Sequence, residues 1–578
     1  MTTIHVMAEL HKMKTHMTVG ALVLLVAASA LLSCFAPAAP SPSPAPAGPT
    51  AVIASLTPTP STRPTPSATP AHLGPTPTDL PAMPTAAAVP RPALDLVAWH
   101  KAHGGRWAEE PLDAIPMAVL VPEATFVVQP IPVANRRGGA IASTLCAGYV
   151  FLQFGNVTPA MFARHADTVG ALFIRSALMS FVDYGANRVL GWDRVSTEIP
   201  MDVRGMIGEA NRRDIPVFLQ LNYSDYVPGP VRTGVEALQK ADNVGRTVSF
   251  LQALEADGLH VTGVTFGDEI GDESGYGAAK PTLGNDDLVA RYLAYTRALK
   301  DAFPALQILA FDSYIAATRD QVGSYIPLLE AVRAAEVADG RALLDGFVFR
   351  ESYVYMNDRG QVRSTQEILD DTESLYRSVP AYRYDVMGQV SSPWPDRDYL
   401  HLLLTETQRI FQRDLVIGLT EYLPAGPVQI SESDTSPYED QVFLLHYADL
   451  AGIYAELGLD VLSTWMFAND AQQAKCYIDN QERAGSNYAV HAQLARHLRG
   501  VMLTVTRPLP YEQLRVKVYA ARDGDTTFVM LLNKDAEREH AVRVMLPSKL
   551  DLSLRLPPRS YTGILSEPAG VIVTGIAP

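Results

Sequence analysis

The sequence predicts an α/β chain, a (β/α)8 TIM barrel with an appended antiparallel β-sandwich. Three observations carry this. Apolar β-like runs alternate with amphipathic stretches from residue 146 to 499, the signature of a parallel α/β fold. After about residue 500 the helical patterning stops and short alternating strands take over. Two of the apolar runs, Thr262–Ile270 and Asp414–Tyr422, lead into a carboxylate, Glu269 and Glu421, where a buried strand normally closes on a turn residue. A Glu at the carboxyl end of a core strand belongs at a barrel or sheet mouth, where ligands bind.

In chain order, residues 1–34 read as an export signal. Lys12 and Lys14 precede an uncharged run, Val19–Leu32, that is shorter than the roughly 20 residues of a spanning helix. Leu31-Leu-Ser-Cys34 resembles the lipobox of bacterial lipoproteins. That resemblance implies lipidation at Cys34 and an exported protein anchored to the cell membrane by lipid. Ordinary cleavage near Ala36-Pro-Ala-Ala39 is the alternative.

Residues 35–94 form a Pro/Ala/Ser/Thr-rich linker, with seventeen of the chain's 43 prolines. Such a segment cannot build a core and is expected as an extended spacer. Residues 95–145 hold short β-like pieces, Met117–Val121 and Ala124–Gln129, without helical partners, so they are expected to join the C-terminal β-sandwich. The barrel, residues 146–499, has expected strand ends near Phe154, Arg175, Asn222, Glu269, Ser313, Tyr353, Glu421 and Phe467. Between them lie helical stretches such as Asp287–Lys300, with apolar residues at three- and four-residue spacing. Residues 500–578 form the sandwich, with strands at Arg515–Ala521, Thr527–Asn533 and His540–Leu546.

The chain carries 47 basic and 62 acidic residues, a net charge of −15, and no basic run. A nucleic-acid partner would need a positive face, so that class is excluded. There is no G-x-S-x-G elbow, phosphate loop or dinucleotide fingerprint. No Cys or His spacing matches a zinc site, and Asp268, Asp272 and Glu273 match no EF-hand loop. Neither a metal nor a cofactor is expected. Besides Cys34 there are only Cys146 and Cys476, which are either free or joined in one bridge across the first and last barrel strands.

The order Arg175, Asp268-Glu269, Tyr353, Glu421 and Trp465 on successive strands, followed by a β-sandwich, resembles the retaining glycoside hydrolases of the large (β/α)8 clan. The arabinofuranosidase and β-xylosidase type families are nearest, over roughly residues 146–578. The resemblance implies a carbohydrate substrate, Glu269 as acid/base and Glu421 as nucleophile. The chemistry suits two carboxyls held about 5–5.5 Å apart, one protonated to donate to the leaving oxygen and one ionised to attack the anomeric carbon. Substrate-side roles follow for Arg175, Asn222, Asp268, Tyr353 and Trp465: the resemblance implies that Arg175 holds the nucleophile ionised by a charge-assisted hydrogen bond, that Tyr353 hydrogen-bonds Glu421 and that Trp465 floors the sugar site. The clan usually has Asn where Asp268 stands, and an ionised Asp only accepts hydrogen bonds.

Each residue has a plainer reading. Glu269 and Glu421 could pair with neighbouring arginines, Arg175 could belong to a core ion pair, and Tyr353 and Trp465 could be packing residues. Asn222 could be turn chemistry, and Glu351 is a rival carboxylate on the face of Tyr353. Asp268 keeps open a second function, a non-catalytic cell-surface glycan-binding protein on a decayed glycosidase barrel.

Overall fold

The computed structural model describes residues 89–578 apart from 152–156, 176–180, 184–187, 191–195, 199–202, 222–225, 233–234, 241–242, 267–284, 314–318, 355–363, 371, 373–382, 385–389, 392–398, 426–436, 465, 469–475 and 479–487. Eight parallel strands among the described residues close into a barrel. They are β1 (Cys146–Phe151), β2 (Ala171–Arg175), β3 (Val217–Leu221) and β4 (Gly263–Phe266). The second half is β5 (Gln307–Ser313), β6 (Gly346–Val354), β7 (Val416–Ala425) and β8 (Val461–Thr464). Neighbours follow chain order, and β8 closes on β1 through Leu462–Cys146 and Ser463–Ala147.

A helix follows every strand. These are α1 (Pro159–His165), α2 (Val203–Asn211), α3 (Asn243–Ala256) and α4 (Asn285–Ala302). Then come α5 (Arg319–Asp339), α6 (Tyr399–Phe411), α7 (Pro437–Leu457) and α8 (Tyr488–His497). The start of α1 shows the local chemistry: Thr158 accepts a hydrogen bond from the Met161 amide at 3.1 Å, and Pro159 fills the first turn, where a missing N–H costs nothing.

Because both faces of each strand are covered, alternate residues serve two different cores. Leu172, Ile174, Leu219, Val264, Ile308, Phe347, Ile417 and Leu462 pack outward against the helices. Ala147, Ala171, Phe173, Phe218, Leu309, Val348 and Val461 fill the lumen. Phe173 and Phe218 stack there at 4.7 Å between ring centroids. So large a filling requires small neighbours. A Cβ on Gly263 would lie 2.7 Å from the Phe218 ring, and one on Gly418 would collide with Val461.

The second unit of architecture is a sheet of eleven strands curling around its own core, with Phe126, Val518, Val529, Val544, Leu554 and Ile564 inside. Four strands from before residue 133 belong to it: Arg91–Asp95, Ala108–Pro111, Met117–Leu120 and Ala124–Pro132. The sheet is not antiparallel throughout. Arg91–Asp95 runs parallel to Asp551–Leu556, and Ala124–Pro132 parallel to His540–Met545. Parallel neighbours cannot be joined by a tight turn, and here the two partners come from opposite ends of the chain with the barrel between them.

One buried polar cluster ties α7 to this sheet. Lys534 Nζ lies 2.5 Å from Asp449 Oδ2, both side chains fully buried, and Tyr519 and Thr372 also donate to Asp449. Burial works to raise the Asp449 carboxyl, but Lys534, Lys517 and these hydrogen bonds hold it far below the usual carboxylate range.

Cys146 is free and buried, and desolvation pushes its thiol up to about 12. Of the two sequence alternatives, a bridge to Cys476 is therefore not formed. Cys146 stands at the foot of the barrel opposite Leu462, whereas Cys476 pairs with Met466 beyond the carboxyl end of β8.

Candidate active site

The lumen changes character along its length. Counting by twos from the apolar layer reaches Gln220 on β3, Thr265 on β4 and Ser463 on β8, all buried polar residues. The Thr265 hydroxyl has no hydrogen-bond partner among the described residues. An unpaired buried hydroxyl carries a desolvation cost. On β2, Arg175 is the last residue and keeps the phase of Ala171 and Phe173.

Glu421 is brought to the same side by a one-residue bulge. Against β6, Phe349 pairs with Leu419 but Arg350 pairs with Glu421, so β7 spends one extra residue at Thr420. Against β8 the same excess appears, with Leu419 opposite Leu462 and Tyr422 opposite Thr464. Without it, Glu421 would fall in step with Ile417 and Leu419, which pack against the helices. With it, Glu421 shares the lumen face with Gly418 and stands in register with Arg350, itself in step with the lumen residue Val348. Bulges re-aim a residue in this way.

A second bulge lies on the other side of β6. Ala310 pairs with Phe347 and Ser313 with Phe349, an excess of one residue on β5. Ser313 thereby comes into register with Phe349.

The foot of the barrel is electrostatically closed. Asp345, just before β6, accepts from Lys300 Nζ at 2.7 Å and from the Ile308 amide at 2.8 Å. Glu336 on α5 accepts from the Leu343 and Leu344 amides at 2.8 and 3.1 Å and from both Arg413 and Arg333. Burial acts to raise its carboxyl, but Arg413 and the two amides hold it below the ordinary value. Asp460, just before β8, accepts from the Ile417 amide at 2.9 Å and from Arg136 and Arg137. No group of three or more metal-ligating side chains occurs among the described residues.

Of the residues singled out from sequence, Arg175, Tyr353 and Glu421 have a described backbone. Arg175 ends β2 and Glu421 follows the bulge in β7. Tyr353 pairs with Pro424, three residues above the Arg350–Glu421 rung, in step with the outward Phe347. Glu351 pairs with Tyr422 in that same outward phase. Asn222, Asp268, Glu269, Trp465 and Cys34 lie outside the described residues, as do Asp272 and Glu273. Sequence reasoning passed over Asp312, because the β5 bulge alters the phase that a count by twos assumes, and over Arg350, which a plain count by twos from Val348 reaches.

No protein-family model matches the chain, and no curated protein matches it. Solved structures do. A bifunctional glucanase-xylanase from a metagenome library, CelM2, superposes with a TM-score of 0.52 at 15% identity, over 79% of this chain and 100% of that one. A Paenibacillus polymyxa xyloglucanase of glycoside hydrolase family 44 gives 0.55 at 11% identity, over 78% and 99%. The family 51 α-L-arabinofuranosidase AbfB from Bifidobacterium longum gives 0.52 at 9% identity, over 79% and 100%. The chain therefore has the fold of the barrel glycosidases, and its structural neighbours are glycoside hydrolases.

Proposed function

We propose that this chain is a retaining glycoside hydrolase that cleaves oligo- or polysaccharides of plant or microbial origin through a covalent glycosyl-Glu421 intermediate. The single observation that carries the reading is the β7 bulge, which spends strand regularity to bring Glu421 to the lumen face beneath the mouth. Neighbours that are glycoside hydrolases of the same fold support it. Glu269 is proposed as the acid, then base. It lies three residues past β4, and counting by twos from Gly263 and Thr265 reaches it.

Arg175, Asn222 and Trp465 continue the lumen counts of β2, β3 and β8, and are proposed to bind the sugar, with Trp465 offering its face to the ring C–H groups. Tyr353 is proposed to act from the rim and Asp268 beside Glu269. Residues 1–34 are proposed to export the protein and leave it lipid-anchored through Cys34, with residues 35–94 as spacer. Asp268, where the resembled clan carries Asn, favours the second reading, a glycan-binding protein on a decayed barrel.

The test is turnover of aryl arabinofuranoside, xyloside, glucoside, galactoside and fucoside, and then of polysaccharides, by residues 89–578 and by Glu421→Ala. Activity on one sugar with retained anomeric configuration, lost in the variant, is the expected result. Silence on every substrate, with binding retained, would establish the binding protein instead.

A further inference from the structure

The eleven-stranded sheet has two free edges, and they are treated differently. One ends on Ala108–Pro111, where Glu109, Glu110 and Pro111 are the charges and proline that keep a strand edge from pairing with another chain. The other ends on Met117–Leu120, which pairs only with Arg91–Asp95 among the described residues. No charged residue occurs from Ala114 to Pro122. Met117, Val119 and Val121 are 60, 74 and 41% exposed. We infer that this edge is a self-association surface, on which two copies of the chain pair Met117–Val121 antiparallel about a two-fold axis at Val119.

The ladder sets the direction of the free backbone groups. The Asp95 amide donates to the Pro116 carbonyl at 2.7 Å, so Asp95 and Pro116 form a hydrogen-bonded pair. Antiparallel pairs alternate, which makes Ala93–Ala118 and Arg91–Leu120 hydrogen-bonded, and Leu94–Met117 and Pro92–Val119 not. The N–H and C=O groups of Met117 and Val119 therefore point away from Arg91–Asp95, toward the open edge. Pro92 agrees with this phase, since the N–H it lacks would not have faced Val119. Met117 and Val119 also share the face of Leu94, which packs in the sheet's core, so an apolar row runs out from that core to exposed residues.

A second copy is the occupant that this stretch fits. Pairing centred on Val119 sets Met117 opposite Val121 and Ala118 opposite Leu120 of the other copy, apolar against apolar at every rung. Pro116 and Pro122 are equidistant from Val119 and fall where an N–H would face inward, so neither removes a donor from the new ladder. A two-fold axis sets the residues nearest it against their own copies, so a charge there would repel itself, and this stretch carries none. The pairing uses only the unguarded edge, and the acids and proline of Ala108–Pro111 oppose further addition, so assembly closes at two. A single short strand per copy is far below the roughly 20–30 residues a side of a standard interface, so the dimer is weak.

The experiment is analytical ultracentrifugation of the full chain from about 1 to about 500 µM, a range suited to so small an interface. A monomer–dimer equilibrium is expected. Val119→Lys sets two ammonium groups against each other at the axis and should raise the dimer dissociation constant about tenfold or more. Its melting temperature should stay at the parent value, because Val119 is exposed in the monomer. Val119→Pro removes an outward N–H that Arg91–Asp95 does not use, and should weaken the dimer by about the same factor. Val337→Lys, at a comparably exposed valine on α5, should leave the dimer intact. A chain monomeric throughout would overturn the inference, including one whose edge takes up lipid vesicles or its own residues 1–88 instead. So would a dimer indifferent to Val119→Lys, or one equally sensitive to Val337→Lys.

Discussion

At the foot of the barrel, Asp345, Glu336 and Asp460 each meet a cation and at least one backbone amide. At the mouth, β5 and β7 each give up one residue of regular pairing, and on β7 this brings Glu421 into register with Arg350. The foot uses carboxylates as rivets, with donors supplied by strands and helices that meet there. The mouth does the reverse, since a bulge removes ladder pairing and gains nothing for the strand itself. Such departures from local regularity collect at functional sites.

The largest effect should come from the bulge. Deleting Thr420 restores regular pairing and returns residue 421 to the helix-facing side. Turnover should then fall on the order of 10³-fold or more, to the level of Glu421→Ala, in a protein that still melts cooperatively. Activity surviving the deletion would remove the bulge from the mechanism.

The foot should answer in stability instead. Glu336→Ala strands Arg413 and two buried amides, and by the usual cost of breaking a buried pair it should lose about 3–5 kcal/mol in denaturant unfolding. The acid limb of the remaining activity should stay where it was. A shifted limb would mean that foot and mouth are electrically one site.

A smaller effect concerns pH. His491 on α8 is buried, bonded to Tyr447 and to the Thr168 carbonyl, and desolvation lowers its pKa to about 3. Because the folded value lies below the unfolded 6.5, the unfolded chain binds the proton first. Stability is then complete above about pH 6.5 and declines as pH falls toward 3, by up to about 1.4 kcal/mol per unit. His491→Gln should flatten that slope, read from denaturation midpoints between pH 4 and 7. An unchanged slope would place the titration elsewhere.

Much of this architecture is legible in the chain. The barrel is written in its repeated apolar runs, and several strand ends fall where the pattern breaks: β2 at Arg175, β5 at Ser313 and β6 one residue past Tyr353. The sheet is legible too, because helical spacing stops near residue 500. Its parallel pairings are not, since nothing local in Arg91–Asp95 names a partner more than 400 residues away.

The site is legible only in its residue types. Within Val416–Glu421 a count by twos assigns Glu421 to the side of Ile417 and Leu419, and one extra residue reverses that without leaving a trace in composition. The signal was an inconsistency. Gly418, whose missing side chain makes room for Val461, marks the lumen phase, and Glu421 is three residues from it, which only a bulge reconciles. On β6, which carries no extra residue, the plain count by twos leads from Val348 to Arg350 rather than to Glu351.

The most direct measurement is covalent trapping. The protein would be incubated with the 2-deoxy-2-fluoro activated glycoside of whichever sugar it turns over, then digested and mapped by mass spectrometry. Time-dependent inactivation with one glycosyl group on Glu421 is the predicted result. A label on Glu351, Asp312 or Glu269 instead, or steady turnover with inverted product and no label, would contradict Glu421 as the nucleophile.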